Sequence, residues 1–149
     1  MHLTSPIKLC ALLASLVAPN TALAQDIDLT GKISVELNAA DPVADSAPQA
    51  CTLSFFITNG MEHTLDSLVV ETVLFDAAGK VDRLTLFDFG ALPTARPRVR
   101  QFAVPNLACD NIGRILINGV QNCAGGTADN ASCGDALLPS SRTNIEVIG

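Results

Sequence analysis

Three arginines fall within five residues at Arg96-Pro97-Arg98-Val99-Arg100, in a chain with 15 acidic side chains against 9 basic ones. On an extended backbone alternate side chains share a face about 7 Å apart. The segment therefore predicts a basic stripe of Arg96, Arg98 and Arg100, able to hold a carboxylate or phosphate or to dock an acidic partner. The same composition also guards an exposed sheet edge against strand addition. If the stripe is exposed, reversing the charge of Arg98 and Arg100 should leave the fold intact.

Other candidate chemistry is thinner. His2 lies in the N-terminal segment, and His63 sits in the polar turn Asn59-Gly60-Met61-Glu62-His63, near Asp66 and Ser67. A Ser-His-Asp hydrolase needs a nucleophile held against the imidazole and an oxyanion hole. No G-x-S-x-G elbow is present to supply them. Paired carboxylates for glycoside hydrolysis would have to converge from scattered acids, and sugar sites favour aromatic platforms, whereas the chain has no Trp or Tyr. The run Asp129-Asn130-Ala131-Ser132-Cys133-Gly134-Asp135 offers oxygen ligands without the order of a calcium loop. Within it, Asn130-Ala131-Ser132 is a glycosylation sequon, relevant only in a host that glycosylates exported proteins. No C-x-x-C occurs, and one His beside dispersed Cys does not make a zinc set. No cofactor or metal is expected.

These residues need a scaffold in a particular compartment. Residues 1–24 read as a cleavable signal peptide. Lys8 precedes the apolar run Leu9 to Ala18, Pro19 and Asn20 break it, and Ala22-Leu23-Ala24 supplies the small residues a signal peptidase accepts. A run of about ten residues is too short for a bilayer, which takes roughly 20. There is no twin-arginine pair, and Cys10 lacks a lipoprotein context. Cleavage there removes Lys8, His2 and Cys10 and leaves an acidic domain, 25–149, with one His and four Cys. The expectation is an exported protein, periplasmic or extracellular, without a membrane span. An even Cys count in such a chain reads as two disulfides. The acidic balance argues against nucleic acid as partner, and 48% hydrophobic with 16% charged residues excludes a disordered chain.

Beyond residue 25 the pattern is short alternation broken by Pro, Gly, Asn and Asp, with no sustained helical period. Strands are expected from Ile33 to Leu37, Leu53 to Thr58, Leu68 to Phe75, Val81 to Phe89, Arg98 to Val104 and Ile112 to Val120. Thr143, Ile145 and Val147 could add a last one. Ala39 to Ala50 reads as a loop, and Asp76-Ala77-Ala78-Gly79 as a hairpin turn. The fold class is all-β, an immunoglobulin-like antiparallel β-sandwich of six to seven strands, with a closed barrel as rival.

The residues Leu53-Ser54-Phe55-Phe56-Ile57-Thr58-Asn59, then Leu68-Val69-Val70-Glu71 and Val73-Leu74-Phe75-Asp76-Ala77-Ala78-Gly79, resemble the bacterial FxLYD-type immunoglobulin-like domains. The resemblance covers about residues 51–120. Thr72 stands where that family has Phe, and Phe75 where it has Tyr. It implies a sandwich and a non-catalytic exported module, with no catalytic residues to carry over.

Cys109 and Cys123 flank the strand 112–120, whose length separates them by far more than the roughly 7 Å a disulfide spans. In an immunoglobulin-like order the second and sixth strands run parallel, bringing Cys51 and Cys109 to one end. That order favours Cys51–Cys109 with Cys123–Cys133. Together these features suggest a binding or accessory module acting through loops or a sheet edge on another envelope or secreted protein. The alternatives are a small secreted hydrolase built from scattered acids and His63, or a protease inhibitor presenting the disulfide-clipped loop 123–133.

Overall fold

The computed structural model describes residues 28–149, so the signal-peptide reading of 1–24 lies outside the described residues. Strand β1 (Ile33–Pro42) starts with Ile33, Val35 and Leu37 pointing inward, each fully buried. At Asn38 a bulge shifts the register, and the strand continues to pair with β2 as far as Pro42↔Cys51. This corrects the expected loop at Ala39. The bulge absorbs the break in alternation, and Pro42, which cannot donate to a ladder, occupies the last position.

β2 (Cys51–Asn59) is apolar on nearly its whole inner face and pairs on its other side with β5 (Arg98–Val104). β3 (Ser67–Asp76) and β4 (Val81–Asp88) form a hairpin across Asp76 to Lys80. Asp76 Oδ1 accepts from the Ala78 and Lys80 amides at 2.9 Å each, and Gly79 takes φ +81°. This is the conformation for which Gly is favoured in such turns.

A short 3₁₀ turn (Cys109–Asn111) leads into the long β6 (Ile112–Ala124), followed by helix α1 (Asn130–Ala136), β7 (Leu137–Ser141) and β8 (Glu146–Ile148). Among the described residues eight strands form two four-stranded sheets, β5-β2-β1-β7 and β4-β3-β6-β8. The result is a sandwich and not a closed barrel. The pairs β1·β2, β2·β5 and β3·β6 match the A·B, B·E and C·F pairs of immunoglobulin sandwiches.

Eight strands exceed the expected six to seven because β7 hides in the sequence. It runs parallel to β1 with Pro139 at its centre, a residue tolerated there because β7 is an edge. Helix α1 was equally hidden. Asp129 caps it, accepting from the Ser132 amide at 2.8 Å while the Ser132 hydroxyl accepts from the Asp129 amide at 3.0 Å.

Phe55 of β2 lies at the centre of the core, 1% exposed, with Phe87 and Phe89 at 5.7 Å and Phe102 at 6.0 Å between ring centroids. The disulfides are Cys51–Cys109 (Cα–Cα 4.9 Å) and Cys123–Cys133 (6.4 Å), as expected. The first ties the start of β2 to the turn before β6, and the second clips the end of β6 to α1. On the loop-entropy model they contribute about 4 and about 3 kcal/mol.

Candidate protein-interaction surface

The arginine segment was expected to present one exposed basic face. β5 is indeed a free edge, but its register decides where the side chains go. Arg98, Arg100, Phe102 and Val104 lie opposite Ile57, Phe55, Leu53 and Cys51, all inward-facing. The arginines therefore share the face that turns toward the opposing sheet, at its open side. Arg100 Nε donates to the Phe89 carbonyl at 2.8 Å, with longer contacts from its two other nitrogens to the Val99 and Ala91 carbonyls at 3.2 and 3.4 Å. Arg98 Nη1 donates to the Pro97 carbonyl at 3.1 Å. Arg96 precedes the strand and is exposed.

A reciprocal contact comes from the other sheet. Arg83 of β4 donates through Nη1 to the Pro105 carbonyl at 2.8 Å, and its Nε holds Asp82 at 2.5 Å. Beneath the two clasps, Phe87 of β4 and Phe102 of β5 stack with centroids 4.4 Å apart. Arg100 is thus engaged in closing the β4–β5 side of the sandwich. Its charge reversal would place a carboxylate among carbonyl oxygens, so a cost in stability is expected at this residue.

His63 is exposed and borders a shallow groove of about 280 Å³ with Met61, Leu65, Thr127 and Ala128. Gly126 approaches its ring so closely that a Cβ there would collide with it. Ser67, adjacent in sequence to Asp66, accepts through its hydroxyl from Asn122 Nδ2 at 2.9 Å. The structure therefore directs Ser67 to β6. Among the described residues no three His, Cys, Asp or Glu side chains come together as a metal set. Asn130, in the run considered for calcium, accepts from the Cys123 amide at 2.7 Å and donates to the Gln121 carbonyl at 3.1 Å. Those contacts occupy the oxygen and serve the helix.

A different surface stands out on the outer face of the β4-β3-β6-β8 sheet. Register places Leu84, Val73, Leu116 and Ile148 side by side, one from each strand, making an apolar row across the whole sheet. Beside it run Val81 and Phe75 on one flank and Leu86 on the other. Val81, Leu84 and Leu86 are 56%, 59% and 53% exposed. Val73, on the same face, is only 6% exposed, sheltered by its neighbours in the row and not by the core.

The rim of this surface is polar. Arg114 Nε pairs with Glu146 at 2.6 Å, Asn118 Nδ2 donates to Glu71 Oε1 at 2.5 Å, and Asp82 and Asp88 stand at the two ends of β4. An apolar centre within a polar rim is how protein-binding patches are built. Sequence reasoning missed it because 81–89 mixes apolar and polar side chains in both of its alternating sets. The usable signal was the alternation Asp82, Leu84, Leu86, Asp88.

No family model matches the chain, and no curated protein matches it. Among solved structures it is similar to IrmA from Escherichia coli, with a TM-score of 0.54 and 12% sequence identity, over 72% of this chain and 90% of that one. At that identity the likeness concerns the fold alone.

Proposed function

We propose that the protein is an exported, non-catalytic binding module that docks another envelope or secreted protein on the outer face of its β4-β3-β6-β8 sheet. The observation that carries this reading is the exposure of Val81, Leu84 and Leu86 beside the apolar row of Val73, Leu116 and Ile148. Contiguous apolar surface of that kind, on a sheet face with no core of its own to build, is costly to leave in water and marks interaction sites. Two disulfides suit an oxidising compartment. Among the described residues no helix is long and apolar enough to cross a membrane.

The test is capture from the native envelope by protein starting at Gln25, set against the Leu84→Ser/Leu86→Ser variant. Exposed positions tolerate such changes within about 0.5 kcal/mol, so the variant should fold with nearly unchanged Tm. It should lose the captured partner. Equal capture by both would overturn the assignment of this face. The hydrolase alternative has its own control: an activity abolished by His63→Ala would replace the binding reading.

A further inference from the structure

Among the described residues the four sheet edges are not treated alike. β5 begins after Pro97 and carries Arg98 and Arg100; β7 is five residues long with Pro139 at its centre; β8 is three residues long. Proline, charge and brevity are the standard ways of keeping a stray strand from adding to an edge. β4 has eight residues, with no Pro, Gly or Lys among them, and its one Arg is turned away to the Pro105 carbonyl. Among the described residues it is the longest of these edges, with carboxylates at Asp82 and Asp88 and apolar side chains at Leu84 and Leu86 between them.

The outer side chains of that strand read Asp82, Leu84, Leu86, Asp88, all four residues exposed, with Asp82 at a bulge that also leaves Val81 on this face. Two leucines bracketed by carboxylates specify what can lie beside them. On adjacent strands directly opposed residues interact, opposite charges favourably and like charges unfavourably. An antiparallel second copy of β4 that aligned its leucines would set Asp82 against Asp88 at both ends, so the pattern opposes self-pairing. A strand with basic ends and apolar residues at the two alternate positions between them is matched throughout. Asp82 already meets Arg83, and Asp88 Oδ1 accepts from the Gly90 amide at 2.8 Å. Each carboxylate is thereby held in place on the strand.

We propose that the partner docks by strand addition: an extended segment of the form basic-x-apolar-x-apolar-x-basic pairs antiparallel with the free edge of β4. Its apolar side chains extend the row on Leu84 and Leu86, and its basic ends meet Asp88 and Asp82. Main-chain hydrogen bonds supply affinity and the alternate side chains supply selection, as in other edge-addition complexes. This inference rests on the docking reading above and adds to it the partner's conformation and charge pattern.

The probe is a capped peptide, Lys-Thr-Val-Thr-Val-Thr-Lys, with Glu-Thr-Val-Thr-Val-Thr-Glu as its counterpart, titrated into isotope-labelled protein starting at Gln25. The expected result is chemical-shift change and gained exchange protection at β4 amides, with the Lys peptide bound roughly tenfold more tightly than the Glu peptide, as two opposed charge pairs allow. Asp82→Asn/Asp88→Asn should reduce that preference to about twofold or less, because Asn keeps the Gly90 contact but not the charge. Leu84→Ser/Leu86→Ser should weaken both peptides.

Perturbation centred on β5, or equal binding of the two peptides, would overturn the proposal. So would concentration-dependent self-association that protects β4 without peptide, which would give the edge to a second copy. If native-partner capture depends on Leu84 and Leu86 while neither peptide adds to β4, strand addition fails and the docking reading survives. If capture is also indifferent to those leucines, both fail.

Discussion

Replacing Arg100 with Gln removes the charged half of one inter-sheet clasp while keeping much of the stem. The Nε bond to the Phe89 carbonyl is the well-formed one at 2.8 Å; the contacts at 3.2 and 3.4 Å add little. A hydrogen bond from a charged donor is worth about 1.5–3 kcal/mol, and Arg100 is half-buried, so the loss should be about 2 kcal/mol. For a domain of this size that lowers Tm by roughly 6–8 °C. Arg96→Gln is the control, since that side chain is exposed and outside the strand; it should change stability by less than about 0.5 kcal/mol. Urea denaturation with disulfides intact compares the two against wild type. Arg100→Glu should cost more than Arg100→Gln. If Arg100→Gln and Arg96→Gln prove equally mild, Arg100 does not hold the sheets together and the exposed-stripe reading returns.

Three further outcomes follow from buried or capped polar groups. Thr72 is fully buried between Thr85 and Ile117 on the inner face, and its hydroxyl has no partner among the described residues; Thr72→Val should raise stability by about 1–2 kcal/mol in the same denaturation assay. Asn59 is 1% exposed, donates to the Leu92 and His63 carbonyls at 2.8 and 2.9 Å and accepts from the Met61 amide at 2.9 Å, so Asn59→Ala should cost about 2–4 kcal/mol and speed amide exchange at Met61. The Asp129 carboxyl is held below the usual carboxylate range, first by the Ser132 amide and then by its hydroxyl. A lowered folded pKa means the cap is complete above the ordinary Asp value and is lost as pH falls through the lowered one. An NMR titration of Asp129 should therefore find its midpoint below the ordinary Asp value, with α1 amides losing protection only at the acid end.

Much of the scaffold was legible because alternation is a local signal. Ile33-Val35-Leu37 and Leu53-Phe55-Ile57 announce their inner faces without help from the rest of the chain. The cysteine pairing was also within reach, since strand length excluded one partner and strand order favoured another. What stayed hidden depends on neighbours distant in sequence. β7 exists because β1 offers a parallel edge that tolerates Pro139, and α1 because a capping box and a disulfide support a segment of seven residues. The direction of Arg100 follows from its register with Phe55, which no property of residues 96–100 specifies.

The β4 face was hidden for a related reason. Arg83, Thr85 and Phe87 alternate with Leu84 and Leu86, so the sequence offers apolar side chains to both sides. Stacking of Phe87 on Phe102 settles which set turns inward and leaves the leucines out. Asn59 shows the opposite case. The Asn that ends the apolar run from Leu53 to Thr58 is visible in sequence, and the structure supplies its physical role as organiser of the turn toward Leu92.

Whether the outer face of β4 meets a partner can be measured in the native host by placing a photo-crosslinking side chain at position 84 or at position 99. Leu84 and Val99 are both 59% exposed, each on an edge strand, but they belong to different sheets. Exposure alone would give the two positions equal yields. The expected result is a discrete adduct from position 84 that is absent from position 99 and is competed away by excess Lys-Thr-Val-Thr-Val-Thr-Lys peptide. Adducts of equal yield at both positions, or at position 99 alone, would contradict a docking face on β4.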